Sequence, residues 1–559
     1  MNKIIIYQVF TRFFGNKKTT NKENGTLEEN GSGKFNAFSE KTLAEIKSLG
    51  ATHIWYTGVL AHATKTDYSR YGITRSHAAT VKGNAGSPYA VRDYYDVCPD
   101  LAENVENRMQ EFEALIERTH EAGLKAIIDF VPNHVARQYH SNAKPANVVD
   151  LGENDNQNLA FSPQNNFYYI PNQGFESQID MLAGEAAPYA EFPARATGND
   201  CFHAYPNIND WYETIKLNYG VDYCGGGQRQ FNPIPNTWLK IRDILLFWAG
   251  KKVDGFRCDM AEMVPVEFWE WAIKEVKAQF PDIIFIAEVY NPAEYRNYIH
   301  RGGFDYLYDK VGLYDTLRAI TCGYAPASNI THCWQSVNDI QKQMLNFLEN
   351  HDEQRIASDF FAGNAAAAIP AAIVSATMNT NPFMLYFGQE LGERGMDKEG
   401  FSGQDGRTTI FDYWNVLSIN NWINGGKFDG KKLTGEQKSL QNFYKKLLTI
   451  SEEKAISEGE FYDLMWLNYE NPQFNTAKQY AFLRKKDETL LLVVVNFSDT
   501  EKEIVVNIPP AVWKEYFKLS GKQKGKTAEL LYNNVEENFS EQVRVNLAAK
   551  SGKILKYVF

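Results

Sequence analysis

Four short stretches of this 559-residue sequence end in groups able to move protons or attack electrophiles: Asp129-Phe-Val-Pro-Asn-His134, Gly255-Phe-Arg-Cys-Asp259, Ile283-Ile-Phe-Ile-Ala-Glu288 and Phe347-Leu-Glu-Asn-His-Asp352. Read as a strand, the second puts Arg257 and Asp259 on one face and Cys258 on the other, because side chains alternate. An arginine beside a carboxylate keeps it ionised, which suits a nucleophile; a structural ion pair at a strand end is the plain alternative. Glu288 closes an apolar run, where desolvation favours the protonated carboxyl that a general acid requires; a core glutamate bonded locally is the alternative there. One ionised and one protonated carboxyl are the equipment for hydrolysing a glycosidic bond. Asp352, His351 and His134 could then hold sugar hydroxyls, and aromatic rings, 14% of the residues, could stack on sugar faces.

Positioning these groups together requires strands. Eight runs have strand character, namely 3–8, 52–57, 125–133, 255–259, 283–288, 304–309, 345–352 and 383–389, with helical-period segments between them. Strand alternating with helix implies parallel pairing, and eight such units of about 30 residues close into a (β/α)8 (TIM) barrel, an α/β fold of about 250 residues. Asp259 to Glu288 spans 29 residues, one unit, whereas Asp129 to Asp259 spans 130. The excess lies in 135–235, rich in Asn, Pro, Gly and aromatics and without helical periodicity, so it reads as a subdomain built on the loop after the third strand. Beyond 455 the pattern alternates like strands, as in EFYDLMWLNY and ETLLLVVVNF, and predicts an antiparallel β-sandwich over 456–559. The barrel itself is assigned to 1–134 and 236–455.

The formal net charge of −11 is the wrong sign for gripping nucleic acid or an anionic membrane. The apolar stretch Ala365 to Met378 contains Pro370 and falls short of the roughly 18–20 residues of a membrane span, so it reads as a buried helix. The N-terminal run IIIYQVF reads as a strand and not as an export signal. Six cysteines without a Cys-x-x-Cys pair support neither zinc nor redox chemistry and fit reduced thiols and a cytoplasmic location. The glycines of Cys224-Gly-Gly-Gly-Gln-Arg-Gln230 lack the spacing of a nucleotide loop and read as a flexible turn.

In order along the chain, DFVPNH (129–134), GFRCD (255–259), IAEVY (286–290) and ENHDE (349–353) resemble the four short conserved regions of the α-amylase family of glycoside hydrolases. The resemblance implies a retaining mechanism on α-glucosidic bonds. Asp259 matches the family's nucleophile and Glu288 its acid/base. Asp352 matches the carboxylate that binds sugar hydroxyls at the cleavage site, Arg257 the nucleophile's partner, and His134 and His351 the histidines that hold the same sugar. Tyr89 and Asp93, in SPYAVRD (87–93), resemble the segment of the stacking tyrosine. No cofactor is required for the chemistry. Asn133 matches the calcium-binding asparagine, with local bonding of the loop as its other reading. Where many endo-acting amylases carry Lys-His, this chain has Glu262 and Met263, a departure from both the standard calcium site and a plain starch-endohydrolase pattern.

The sequence therefore predicts a retaining α-glucoside hydrolase whose partner is an oligo- or polysaccharide α-glucan. A 4-α-glucanotransferase-like transglycosylase would share the covalent intermediate. A catalytically silent binding barrel would show a damaged carboxylate set, which is not seen.

Overall fold

The eight expected strands all form in the computed structural model, which describes residues 3–536 and 538–559. They are β1 (Ile5–Phe10), β2 (His53–Thr57), β3 (Lys125–Phe130), β4 (Gly255–Cys258), β5 (Ile284–Ala287), β6 (Tyr306–Tyr308), β7 (Met344–Phe347) and β8 (Phe383–Tyr386), parallel and closed into one barrel in sequence order. The period-two alternation decides what fills the barrel. Ile6, Trp55, Ile127, Ile286, Tyr308, Leu345 and Met384 pack on one another inside, and their chain neighbours Tyr7, Ile54, Ile128, Phe285 and Phe383 join the outer core beneath the helices. Both faces are covered, so the strands read as continuous apolar runs.

Three strands stop several residues earlier than the sequence suggests. β3 ends at Phe130, two residues before Pro132, which has no N–H to give to a ladder, β7 ends at Phe347, and β8 ends at Tyr386. His134, Asn350, His351 and Asp352 therefore sit on the loops that follow. Among the outer helices, Asn236–Gly250 buries Trp238, Ile241, Leu245 and Trp248, one face at helical spacing. Removing Ile241 or Leu245 from water stabilises the fold by about 1.5–3 kcal/mol each.

The segment between β3 and that helix contains only short antiparallel pairs. His134–Ala136 pairs with Thr214–Lys216, so both ends of the segment return to the mouth of the barrel. Arg137, fully buried, ties the segment together by donating to the carbonyls of Tyr212 (2.6 Å) and Thr214 (2.9 Å) and pairing with Glu191 at 2.9 Å. The triple glycine lies in the exposed connection between Val221–Asp222 and Gln228–Arg229.

Beyond the last barrel helix, Gly435–Ile450, the chain forms β9 (Glu460–Asp463), β10 (Gln479–Lys486), β11 (Thr489–Asn496), β12 (Lys502–Asn507), β13 (Thr527–Glu529), β14 (Val535–Glu536), β15 (Gln542–Leu547) and β16 (Ser551–Val558). They pair antiparallel as a six-stranded sheet, β9-β10-β11-β16-β13-β14, and a two-stranded ribbon, β12-β15. The apolar stretch that read as a buried helix is helical over Ile369–Thr377. Its C-terminal end, where carbonyls lack helical partners and the dipole favours cations, receives Lys3 on the carbonyls of Ala376 (2.7 Å) and Asn379 (2.6 Å), while Arg484 of β10 donates to that of Met378 (3.1 Å). One helix end thus joins the residues just before β1 to the C-terminal sheet. Among the described residues no helix is long and apolar enough to cross a membrane, and the six cysteines are free.

Candidate active site

Strand register explains how residues far apart in sequence meet. Arg257 lies opposite Asp129 of β3 and Ile286 of β5, and Cys258 lies opposite Ala287. The next residues, Asp259 and Glu288, therefore emerge side by side at the C-terminal rim, where barrel enzymes place their chemistry. The inward slot taken by Arg257 is fully buried. Its Nη1 donates to Asp259 Oδ1 at 2.8 Å and lies 3.5 Å from Asp129 Oδ1, and its Nε donates to the Tyr308 hydroxyl at 3.1 Å. Nη2 lies 2.9 Å from Glu288 Oε2, an ion pair by distance although no N–H of Nη2 points at the oxygen. The guanidinium is thus shared among three carboxylates.

Burial raises the Asp259 carboxyl well above the ordinary range; Arg257 opposes this, and the charges of Glu288 and Asp352 add to it. Glu288, expected as a solitary carboxyl in apolar surroundings, instead has specific partners. The Tyr290 hydroxyl donates to Oε1 at 2.5 Å, and the backbone N–H of Met260 donates to Oε2 at 2.8 Å. Met260 has φ +43°, a left-handed conformation that is strained for a side chain of its size. Glu262, one of the two departures from the Lys-His pattern, accepts from the backbone N–H groups of Tyr290 (3.1 Å) and Asn291 (3.0 Å) and so braces the segment behind Glu288.

On the opposite wall, Tyr89 stacks on His351 with ring centroids 5.1 Å apart and donates to Asp129 at 3.3 Å. His351 is held by Gln8, whose amide lies 2.9 Å from Nδ1; the proton is then on Nε2, which faces Asp352 at 3.0 Å and the Tyr89 oxygen at 2.6 Å. Burial raises the Asp352 carboxyl, but His351, then Arg257 and Arg407, together outweigh it, and the group ends below its ordinary value. His134 is buried and lowered to about 3, by desolvation and then by the charges of Lys216 and Lys82, so it is a neutral imidazole.

The cleft has a volume of about 550 Å³, and Tyr89, His134, Asp259, Glu288 and Asp352 all line it. Arg257 and His351 lie behind these residues and orient them. Asp93 does not reach the cleft: fully buried, it accepts from the hydroxyl of Ser141 (2.5 Å) and the backbone N–H groups of Tyr95 (2.9 Å), Asn142 (2.7 Å) and Ala143 (3.0 Å). Its oxygens are occupied in holding the start of the inserted segment, so the expectation that it binds substrate is corrected. Sequence reasoning gave no role to Tyr290, Met260, Trp211, Lys82, Glu213, Phe401 or Phe411, which also line the cleft. Tyr290 stood inside a quoted motif, and Trp211 inside the aromatic-rich insertion; the others carried no local signal.

The residues around Asn133 do not fit a calcium ion. Its Oδ1 accepts from the buried ammonium of Lys216 at 2.7 Å, and Lys216 also pairs with Asp200 at 2.5 Å. Asn133 Nδ2 donates to the Gly198 carbonyl at 2.7 Å. A cation already sits on the one oxygen the side chain offers. The buried cluster of His62, Cys98 and Asp100 does not fit a metal either. Arg12 Nη2 lies 2.6 Å from His62 Nε2, and the hydroxyls of Tyr68 (2.5 Å) and Tyr413 (3.0 Å) take the Asp100 oxygens.

Comparison with known proteins agrees with this architecture. Residues 8–480 match the family model described as "Alpha amylase, catalytic domain", and 469–558 match "Alpha amylase, C-terminal all-beta domain". Alpha-amylase 3 of Dictyoglomus thermophilum is 25% identical over 389 residues, covering 66% of this chain and 68% of its own. Neopullulanase 2 of Thermoactinomyces vulgaris is 22% identical over 543 residues, 94% and 75% of the two chains. A stretch of 75 residues, 13% of each chain, is 39% identical to an alpha-1,4-glucan:maltose-1-phosphate maltosyltransferase of Cereibacter sphaeroides. Among solved structures, a noncanonic maltogenic alpha-amylase of Thermotoga neapolitana superposes with TM-score 0.63 at 18% identity, covering 100% of this chain and 99% of its own.

Proposed function

The chain belongs to the α-amylase family, and from that premise we propose that it is a retaining hydrolase of α-glucosidic bonds in starch-derived glucans or maltodextrins. Glu288 protonates the glycosidic oxygen while Asp259 attacks the anomeric carbon to form a glycosyl ester; Glu288 then takes a proton from water, which releases the sugar. Asp352 and His134 bind hydroxyls of the sugar being cleaved, and Tyr89 stacks on its face. Arg257 and His351 position Asp259, Glu288, Asp352 and Tyr89. No step is routed through a metal.

One observation carries the mechanism. The two terminal nitrogens of Arg257 lie 2.8 Å from an oxygen of Asp259 and 2.9 Å from an oxygen of Glu288, so the two carboxyls are neighbours. Inverting enzymes need a separation of roughly 6.5–9.5 Å to admit water between acid and base, and retaining enzymes only about 5–5.5 Å. The substrate class rests on similarity to proteins named alpha-amylase, neopullulanase and maltogenic alpha-amylase.

The test is to trap the ester with a 5-fluoro α-glucosyl fluoride and sequence the labelled peptide. A label on Asp259, together with a loss of turnover of at least about 10⁴-fold in a folded Asp259→Asn variant, supports the reading. A label elsewhere overturns it. The short similarity to maltosyltransferases favours transglycosylation as the second reading. It predicts longer products when maltose is added as acceptor, where a hydrolase gives shorter ones only.

A further inference from the structure

On one side of the barrel mouth the loops are stitched into a continuous wall. β8, β1, β2 and β3 are consecutive neighbours in the barrel. From the loop after β1, Arg12 donates to the carbonyls of Ile410 (3.2 Å) and Gly86 (3.1 Å), one in the loop after β8 and one in the loop after β2. These two loops also bond directly. The backbone N–H groups of Ala85 and Gly86 both donate to the carbonyl of Phe411 at 3.0 Å, and that of Asn84 donates to Asp412 at 3.1 Å. The approach is close enough to demand glycine. A Cβ on Gly83 would lie 2.3 Å from the Phe411 carbonyl oxygen, and one on Gly86 would lie 1.7 Å from that of Ala63, with both residues at positive φ.

The inserted segment completes this wall. Lys82 Nζ lies 3.1 Å from Glu213 Oε1, 5.5 Å from the Tyr212 ring centroid and 5.9 Å from that of Phe411. Lys82, Glu213, Phe411 and Trp211 all line the cleft, and Trp211 packs against His134 with ring centroids 5.2 Å apart. On the far side, the cleft is lined from the loops after β4 to β7 by Met260, Tyr290, Val311 and Glu353, and Val311 is 40% exposed.

The chemistry fixes which end of a glucan meets the wall. The acid must stand beside the leaving oxygen, and Glu288 follows β5, so the leaving sugar departs over the β4–β7 side. The sugar that is retained as the ester, and whatever precedes it, extends toward β8, β1 and β2. We infer that the Lys82–Glu213 bridge and Phe411 close the cleft beyond the glycone, so that the enzyme cuts from non-reducing chain ends and releases short products. This rests on the hydrolase reading above and adds to it the direction and mode of attack.

The experiment compares 4-nitrophenyl α-maltoheptaoside with the same compound blocked by an ethylidene group on its non-reducing end, with products separated by chromatography. The expected result is that the free compound is hydrolysed at least about 100-fold faster, giving glucose or maltose as the first product. Equal rates within about threefold would overturn the inference and leave the hydrolase reading standing, because both compounds would have been cut. Hydrolysis of neither would overturn both. Lys82→Ala and Glu213→Gln should each narrow the ratio by about tenfold. A ratio unchanged in both variants, with the wild type still selective, would show that the barrier is not this bridge.

Discussion

The Tyr290 hydroxyl donates to Oε1 of Glu288 at 2.5 Å, and Glu262 fixes the Tyr290 backbone from behind. Burial and the Glu288 charge both raise the phenol well above its ordinary value, so it remains a donor throughout the working range. In this role Tyr290 orients the proposed acid. Tyr290→Phe should lower kcat by about 10–100-fold with a smaller change in KM, as expected when the acid is present but poorly held. Steady-state kinetics on a maltooligosaccharide decides it; a kcat within about twofold of wild type would remove Tyr290 from the mechanism.

Lys216 stands on Asn133 and Asp200 where a calcium ion would have to bind. EDTA should therefore leave the thermal midpoint and the activity unchanged. Lys216→Met should lower stability by about 1–3 kcal/mol, the cost of leaving a buried acceptor without its donor. Calorimetry with and without chelator checks both, and a marked drop in midpoint on adding EDTA would show that a metal had been overlooked.

Asp93 holds four donors and faces no substrate. Asp93→Ala should cost about 2–4 kcal/mol, because it leaves buried N–H and O–H groups unpaired. KM of the folded variant should stay within about threefold of wild type. Urea titration gives the first number and kinetics the second; a large rise in KM with unchanged stability would return Asp93 to the substrate.

Glu390 is fully buried, accepts from the Tyr7 hydroxyl at 2.9 Å through one oxygen and has no partner on the other. Burial lifts its carboxyl to about 7 from 4.5. The folded state then holds this proton where the unfolded chain has lost it, so stability is full below pH 4.5 and falls as pH rises to 7. The gap corresponds to about 3 kcal/mol above pH 7. Glu390→Gln should raise the thermal midpoint at pH 8 and change it little at pH 4.5. An equal shift at both would point to packing as the cause.

Much of the fold was legible because two regular signals run through the chain. Eight apolar strand runs alternating with helical-period segments announced the barrel, and alternation after 455 announced the C-terminal sheet. Each is a local periodicity that burial on known faces enforces. Strand ends were less legible: Pro132 stops β3 before Asn133 and His134, and the turn after Phe347 carries His351 and Asp352 inward from a loop.

The sequence alone determined which residue types stand at the barrel rim, since a strand's length and alternation place Arg257 inside and put Asp259 and Glu288 one step past paired residues. Only the tertiary structure decided what each group faces. Arg257 is divided among three carboxylates, Glu288 is held by Tyr290 and Met260, Asn133 is met by Lys216, and Lys82 reaches Glu213 across 131 residues of chain. Charge and hydrogen bonding act through space over a few ångströms, while sequence patterns report on neighbours along the chain. Groups brought together by barrel closure therefore carry no local trace of their partners.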